Sequence, residues 1–154
     1  MSDVRALYQT TDMRKILLIA ITSLFVIACK KKKNDSSCAT DVASISGAYK
    51  ITAATYKANA SAAEQDYFNI LFADPCQRDD IYTFQTNGTY ELKDAGTVCS
   101  PAGDSNGTWS VSANTMVIDG DATAIESFDC KTLVIVNTDT NVTGDQLKLT
   151  LTKQ

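Results

Sequence analysis

The amino-acid sequence predicts an all-β domain, eight antiparallel strands running up and down around a closed barrel, with one short helix between strands one and two. Two observations lead there. After Cys76 the chain is a succession of short segments in which apolar and polar side chains alternate, the period-two mark of a strand with one buried face. The turns between them are tight, and the only stretch with helical spacing comes early. Closure into a barrel, rather than folding into two curved sheets, removes the exposed edges that invite aggregation.

Residues 13–29 precede the domain. Met13-Arg14-Lys15 is a short basic head, Ile16 to Ala28 form an apolar stretch of thirteen residues, and Cys29 follows small Ala28. A membrane-spanning helix needs about twenty apolar residues, and here Lys30 to Lys33 follow at once. Residues 1–28 therefore read as a secretory signal peptide. Its end, Val26-Ile27-Ala28-Cys29, resembles the lipobox of bacterial lipoproteins, which implies that Cys29 becomes the first mature residue and carries lipid. Each buried methylene then contributes about 0.8 kcal/mol, and stable anchoring takes more than one acyl chain. The expected address is the cell envelope, lipid-anchored in a membrane, the outer membrane foremost, with the domain outside the cytoplasm.

Residues 29–45 are read as the lipidated cysteine and a flexible linker, because polar residues dominate and no apolar period is visible. Lys30 to Lys33 suit anionic head groups. The barrel is expected over 46–154. Ser46 to Lys57 is its first strand, with Tyr49, Ile51 and Ala53 alternating against Lys50 and Thr52. Ser61-Ala62-Ala63-Glu64 has the capping-box form, and Tyr67, Phe68, Ile70, Leu71 and Phe72 recur at helical spacing until Asp74-Pro75. That is the predicted helix.

Asp80 to Gln85 and Thr89 to Lys93 flank Thr86-Asn87-Gly88. A two-residue turn would set Phe84 opposite Glu91 and mix polar with apolar side chains on each face. A three-residue loop pairs Phe84 with Tyr90 and Tyr82 with Leu92, and it gives Gly88 the position that needs a positive φ, so this register is expected. Gly107 to Ser112 carries Trp109 and Val111 and turns at Ala113-Asn114 into Thr115 to Asp119, with Met116 and Ile118. Thr123 to Phe128 and Lys131 to Asn137 follow. Asp145 to Lys153 ends the series, Leu147, Leu149 and Leu151 alternating with Lys148, Thr150 and Thr152.

With Cys29 acylated, Cys38, Cys76, Cys99 and Cys130 remain, and in an oxidising compartment they allow three disulfide pairings. Cys76 and Cys99 lie at the open ends of one hairpin, which favours that bond and leaves Cys38 for Cys130. The chain has no histidine, so no metal site, no cofactor and no Cys-His nucleophile is expected. From Ser46 onward seven Lys and Arg stand against fourteen Asp and Glu, a net charge of −7. Nucleic acid, which needs a basic footprint, is excluded as a partner. Phosphate-loop and Gly-x-Ser-x-Gly motifs are absent. Asp79 and Asp80 are adjacent and point to opposite faces of a strand, so Arg78-Asp79-Asp80 reads as a polar turn with a local Arg to Asp pair, not as an acid-base pair.

Gly47-Ala48-Tyr49, Cys76-Gln77-Arg78-Asp79-Asp80, Phe84 to Tyr90 around Asn87-Gly88, then Cys99 and Gly107-Thr108-Trp109 together resemble the lipocalin-like domain of Gram-negative bacterial lipoproteins. The resemblance implies an eight-stranded up-and-down barrel with a cavity for a small apolar ligand. Tyr49 stands where lipocalins usually place the Trp of Gly-x-Trp, and no ligand residue carries over.

Two functions compete. In one, the protein is a non-catalytic, membrane-anchored binding module whose interior, lined by some of Tyr49, Ile51, Tyr82, Phe84, Tyr90, Leu92, Trp109, Met116, Ile118, Leu147 and Leu149, holds a small hydrophobic molecule. In the other, side chains fill the barrel. The protein then serves as a structural or protein-interaction lipoprotein, working through Val98 to Asn106 and Asn137 to Asp145. A cavity of a few hundred cubic ångströms separates the two.

Overall fold

The computed structural model describes residues 38–154. Its strands are β1 (Gly47–Lys57), β2 (Gln65–Asp66), β3 (Ile81–Phe84), β4 (Thr89–Lys93), β5 (Ser105–Ser112), β6 (Thr115–Ile118), β7 (Asp121–Phe128), β8 (Thr132–Thr138) and β9 (Gln146–Lys153). All pair antiparallel. From β3 each strand bonds to the next as far as β9, and β9 returns to β1 from Tyr49↔Lys153 to Lys57↔Gln146, closing an eight-stranded barrel. Short β2 stands outside the ring. It pairs with Thr55 and Tyr56 where β3, which ends its pairing at Lys50↔Ile81, leaves the edge of β1 open.

The expected hairpin register is the one found: Phe84 faces Tyr90, Tyr82 faces Leu92, and Gly88 has φ +85°. Ala53 departs from the simple alternation. A bulge between Ile51 and Ala53 shifts the register, so Ala54 takes the buried position. The strand expected from Thr123 begins two residues earlier, because Asp119-Gly120, with φ of +52° and +96°, makes a two-residue turn that pairs Ile118 with Asp121.

Antiparallel order gives the barrel two distinct ends. One carries the start of β1, the β3–β4, β5–β6 and β7–β8 turns and the carboxyl terminus. This end is plugged. Asp41 caps a one-turn helix, α1 (Val42–Ile45), by accepting from the Ser44 N–H at 2.8 Å, and Ile45 is wholly buried. The Tyr49 hydroxyl donates to the Ile45 carbonyl at 2.7 Å, and burial pushes its pKa up to about 12. Lys153 Nζ donates to the Ser44 carbonyl at 3.1 Å and lies 5.5 Å from the centre of the Tyr49 ring. Phe84 packs edge-on to Tyr49 and 5.2 Å from Trp109, whose indole N–H donates to the Gln85 carbonyl. Met116, Phe128 and Leu133 complete this packed half. Full burial of such side chains contributes roughly 2 kcal/mol each.

Two expectations are corrected here. The linker read over 29–45 ends sooner, since the Cys38 N–H donates to the Phe128 carbonyl and Ile45 belongs to the core; residues 29–37, with Cys29 and the lysine run, lie outside the described residues, as does the signal segment 1–28. The helix expected from Ser61 shrinks to one turn, α2 (Phe68–Leu71). No capping box forms: the Ser61 N–H bonds to Asn59 Oδ1, Glu64 accepts from the Thr55 hydroxyl and pairs with Lys148, and Gln65–Asp66 join β1. Unpaired backbone on the β1 edge outcompetes a helix too short to be stable alone. The helix remains between the first and second barrel strands, with Phe68 and Phe72 packed on the core.

Gly47 is where the plug and the first strand meet. Its φ is +143°, and a Cβ there would sit 2.4 Å from Lys153 Cε. Lysine can swing aside, but only by leaving the Tyr49 ring and the Ser44 carbonyl, and the backbone strain remains. Gly47→Ala is expected to destabilise the domain by about 1–3 kcal/mol, read as a lower urea midpoint at unchanged slope.

Candidate functional site

At the opposite end the chain changes character. On the inner face β7 runs from Phe128 and Ile125 to Thr123 and Asp121, while β8 runs from Leu133 and Ile135 to Asn137. Large apolar side chains give way to small or polar ones, and the interior is left partly unfilled. The result is a cavity of about 640 Å³. Phe84, Ile51, Leu151 and Ile135 wall its deep part and are themselves almost fully buried; Tyr82, Ile118 and Leu149 continue the apolar lining. Ala122 and Thr123 form one side, and Asp119, Asp121, Asn137, Thr138, Asp139 and Thr140 stand around the mouth.

Two aspartates shape that mouth. Asp119 Oδ1 accepts from the Thr108 N–H at 2.8 Å and Oδ2 from the Tyr90 hydroxyl at 2.6 Å. Those bonds hold the carboxyl below the usual carboxylate range and, with burial, push Tyr90 up to about 12. Gly107 permits the approach, since a Cβ there would lie 2.1 Å from Asp119 Oδ1.

Asp145, fully buried, organises the β8–β9 loop. Its carboxylate accepts from the N–H groups of Thr140 (2.7 Å), Asn141 (2.8 Å) and Val142 (3.1 Å), from the Thr140 hydroxyl and from the Tyr56 hydroxyl (2.9 Å). Burial works against its ionisation, but the three amides and Tyr56 outweigh it and hold its pKa well below the ordinary value. The mouth is thereby preset.

The 94–104 loop is tied in a similar way. Asp94 accepts from the Cys99 and Gly103 N–H groups, Asp104 pairs with Lys93, and the Cys76–Cys99 disulfide joins this loop to the segment before β3. Cys38–Cys130 is the second bond, so both disulfides are those expected. Arg78 makes no local Asp pair. It donates to the Phe72 and Ala73 carbonyls, while Asp79 accepts from the Thr97 N–H. Among the described residues no group of three or more His, Cys, Asp and Glu side chains is placed to hold a metal ion.

Of the eleven side chains proposed for the interior, Ile51, Tyr82, Phe84, Ile118 and Leu149 line the cavity. Tyr49, Trp109 and Met116 are buried in the plugged half instead, where packing leaves them no space to face. Tyr90 and Leu92 border a shallower depression between β4 and β5 of about 430 Å³, and Leu147 lines neither. The polar rim was missed. Its signal is present in the sequence, in Asp119-Gly120 as a hairpin turn and in polar residues at the open-end positions of otherwise apolar inner faces.

The sequence model of the lipocalin-like domain matches residues 45–149. The chain belongs to the lipocalin-like domain family. Neither the curated proteins nor the solved structures contain a match. In this lipocalin-like domain the aromatic of the first-strand Gly-x-aromatic pattern is Tyr49, whose hydroxyl supplies the bond to Ile45.

The depressed Asp145 pKa makes stability depend on acid. The stabilisation is fully present above the unfolded-state value near 4 and is lost as pH falls from there toward the lower folded-state value. Urea midpoints of the natural chain should therefore fall between about pH 5 and pH 2. Asp145→Asn should begin lower and respond less across that window.

Proposed function

We propose that this lipocalin-like protein is a non-catalytic binding module of the cell envelope, anchored through a lipid on Cys29 and holding one small molecule with an apolar body in the open-end cavity. The cavity carries the reading. At about 640 Å³ it falls within the roughly 300–1,000 Å³ typical of small-molecule sites, and its deep wall is apolar while its polar groups are concentrated toward the mouth. The Asp119 and Asp145 bonds hold that mouth before any ligand arrives, which lowers the ordering cost of binding. The anchor is argued from the residues alone: a basic head, thirteen apolar residues and Ala28-Cys29.

The interaction reading keeps a specific support. Ile70, Val98 and Val142 are 63%, 60% and 55% exposed, and all three lie on segments of the open end. A protein that delivers or receives the ligand would meet the barrel there.

N-phenyl-1-naphthylamine, an uncharged apolar fluorophore, is expected to bind the purified chain with a dissociation constant in the micromolar range. Leu149→Trp, which puts an indole into the cavity, should weaken this at least about tenfold without changing the far-ultraviolet circular dichroism. Equal binding by both proteins would remove the cavity as the site. In cells, Cys29→Ser should abolish incorporation of labelled palmitate and shift the protein out of the membrane fraction. Retention of label would refute the anchor.

A further inference from the structure

We infer that the ligand is an amphipathic cation, its apolar body against Phe84, Ile135 and Leu151 and its ammonium-type head at the mouth among Asp119, Asp121 and Asp139. This rests on the cavity being the ligand site and adds the charge of what fills it.

The two ends of the cavity differ in kind. The deep wall offers no charge, whereas three of the residues at the mouth are aspartates, and the lining contains neither lysine nor arginine. Among the described residues no cation pairs with those aspartates: the ion pairs there join Lys93 to Asp104 and Lys148 to Glu64 and Glu126. Asp119 bonds to the Thr108 N–H and the Tyr90 hydroxyl, and Asp139 Oδ1 accepts from the Gly144 N–H at 2.6 Å. Those donors are neutral. They fix the carboxylates in place and leave the negative charge standing. Asp121 enters the ring opposite Ile118, at the boundary between the apolar wall and the rim.

Charge then separates the ligand classes. A fatty acid would bring a carboxylate to a rim that already holds three, and a neutral alcohol would gain only from the apolar wall. An amine on the same chain gains from both, the three exposed carboxylates each adding a modest attraction to the burial of the apolar body. The domain as a whole, at −7 from Ser46 onward, also draws cations toward it. Asn137 and Thr138 add side-chain oxygens at the mouth that can accept from an ammonium N–H.

Calorimetric titration of the purified full chain with decylamine, decanol and decanoate, each below its aggregation limit at neutral pH, tests this. Decylamine should bind about tenfold more tightly than decanol and more tightly still than decanoate, and its advantage should shrink in high salt. Asp121→Asn with Asp139→Asn keeps the side-chain acceptors and removes two charges. This double variant should lose roughly fivefold to tenfold in decylamine affinity and leave decanol binding unchanged. If decanol or decanoate binds as well as decylamine, the charge assignment falls while the cavity reading stands. If Leu149→Trp leaves decylamine binding intact, the amine sits on the acidic surface and the assignment falls as well. No binding by any of the three would end both.

Discussion

Everything in this domain depends on the pairing of β9 with β1. That ladder gives every barrel strand two neighbours and so fixes an inside and an outside. Eight strands make an interior just wide enough for side chains to fill it or for one small molecule to enter. The size of the inward side chains then decides between the two. Here the decision differs along the axis: aromatic and branched residues fill one half, and Thr123, Asp121 and Asn137 leave room in the other.

The filled half is a precondition for the empty one. A wall of Ile51, Phe84, Ile135 and Leu151 faces the cavity on one side and must be supported on the other, or it would collapse inward. Tyr49, Trp109, Met116 and α1 give that support. The open end is stiffened differently, by carboxylates that gather backbone N–H groups at Asp94, Asp119 and Asp145. The acidic composition of the chain is thus partly structural, since a carboxylate can satisfy several amide donors in a loop too short for secondary structure.

Strand alternation, the register around Gly88 and both disulfides were legible in the sequence because each follows from local rules: period-two patterning, the φ a turn demands, and cysteine count. Three features were not. The bulge at Ile51–Ala53 is a product of closing the ring, and no propensity marks it. The helix expected from Ser61 obeys a valid local signal that lost to the unpaired edge of β1, a partner visible only once β3 is known to be short. The third is position along the barrel, which leaves six of the eleven interior candidates outside the cavity that the other five line. Alternation tells which face a side chain takes, so all eleven were placed inward or nearly so, but depth along the axis, which separates buried Met116 from cavity-lining Ile118 on the same strand, depends on the stagger of all eight strands together.

Cys38 is bonded to Cys130 at the plugged end, in the turn between β7 and β8. A mechanical load arriving from the amino-terminal side therefore passes through sulfur into the middle of the ring and bypasses α1 and the start of β1. Strand β1 carries the ladder that closes the barrel, and it is spared the peeling force that would otherwise fall on it first. The same bond stands at the end of the barrel opposite the cavity mouth, so holding the chain at Cys38 leaves the mouth unobstructed.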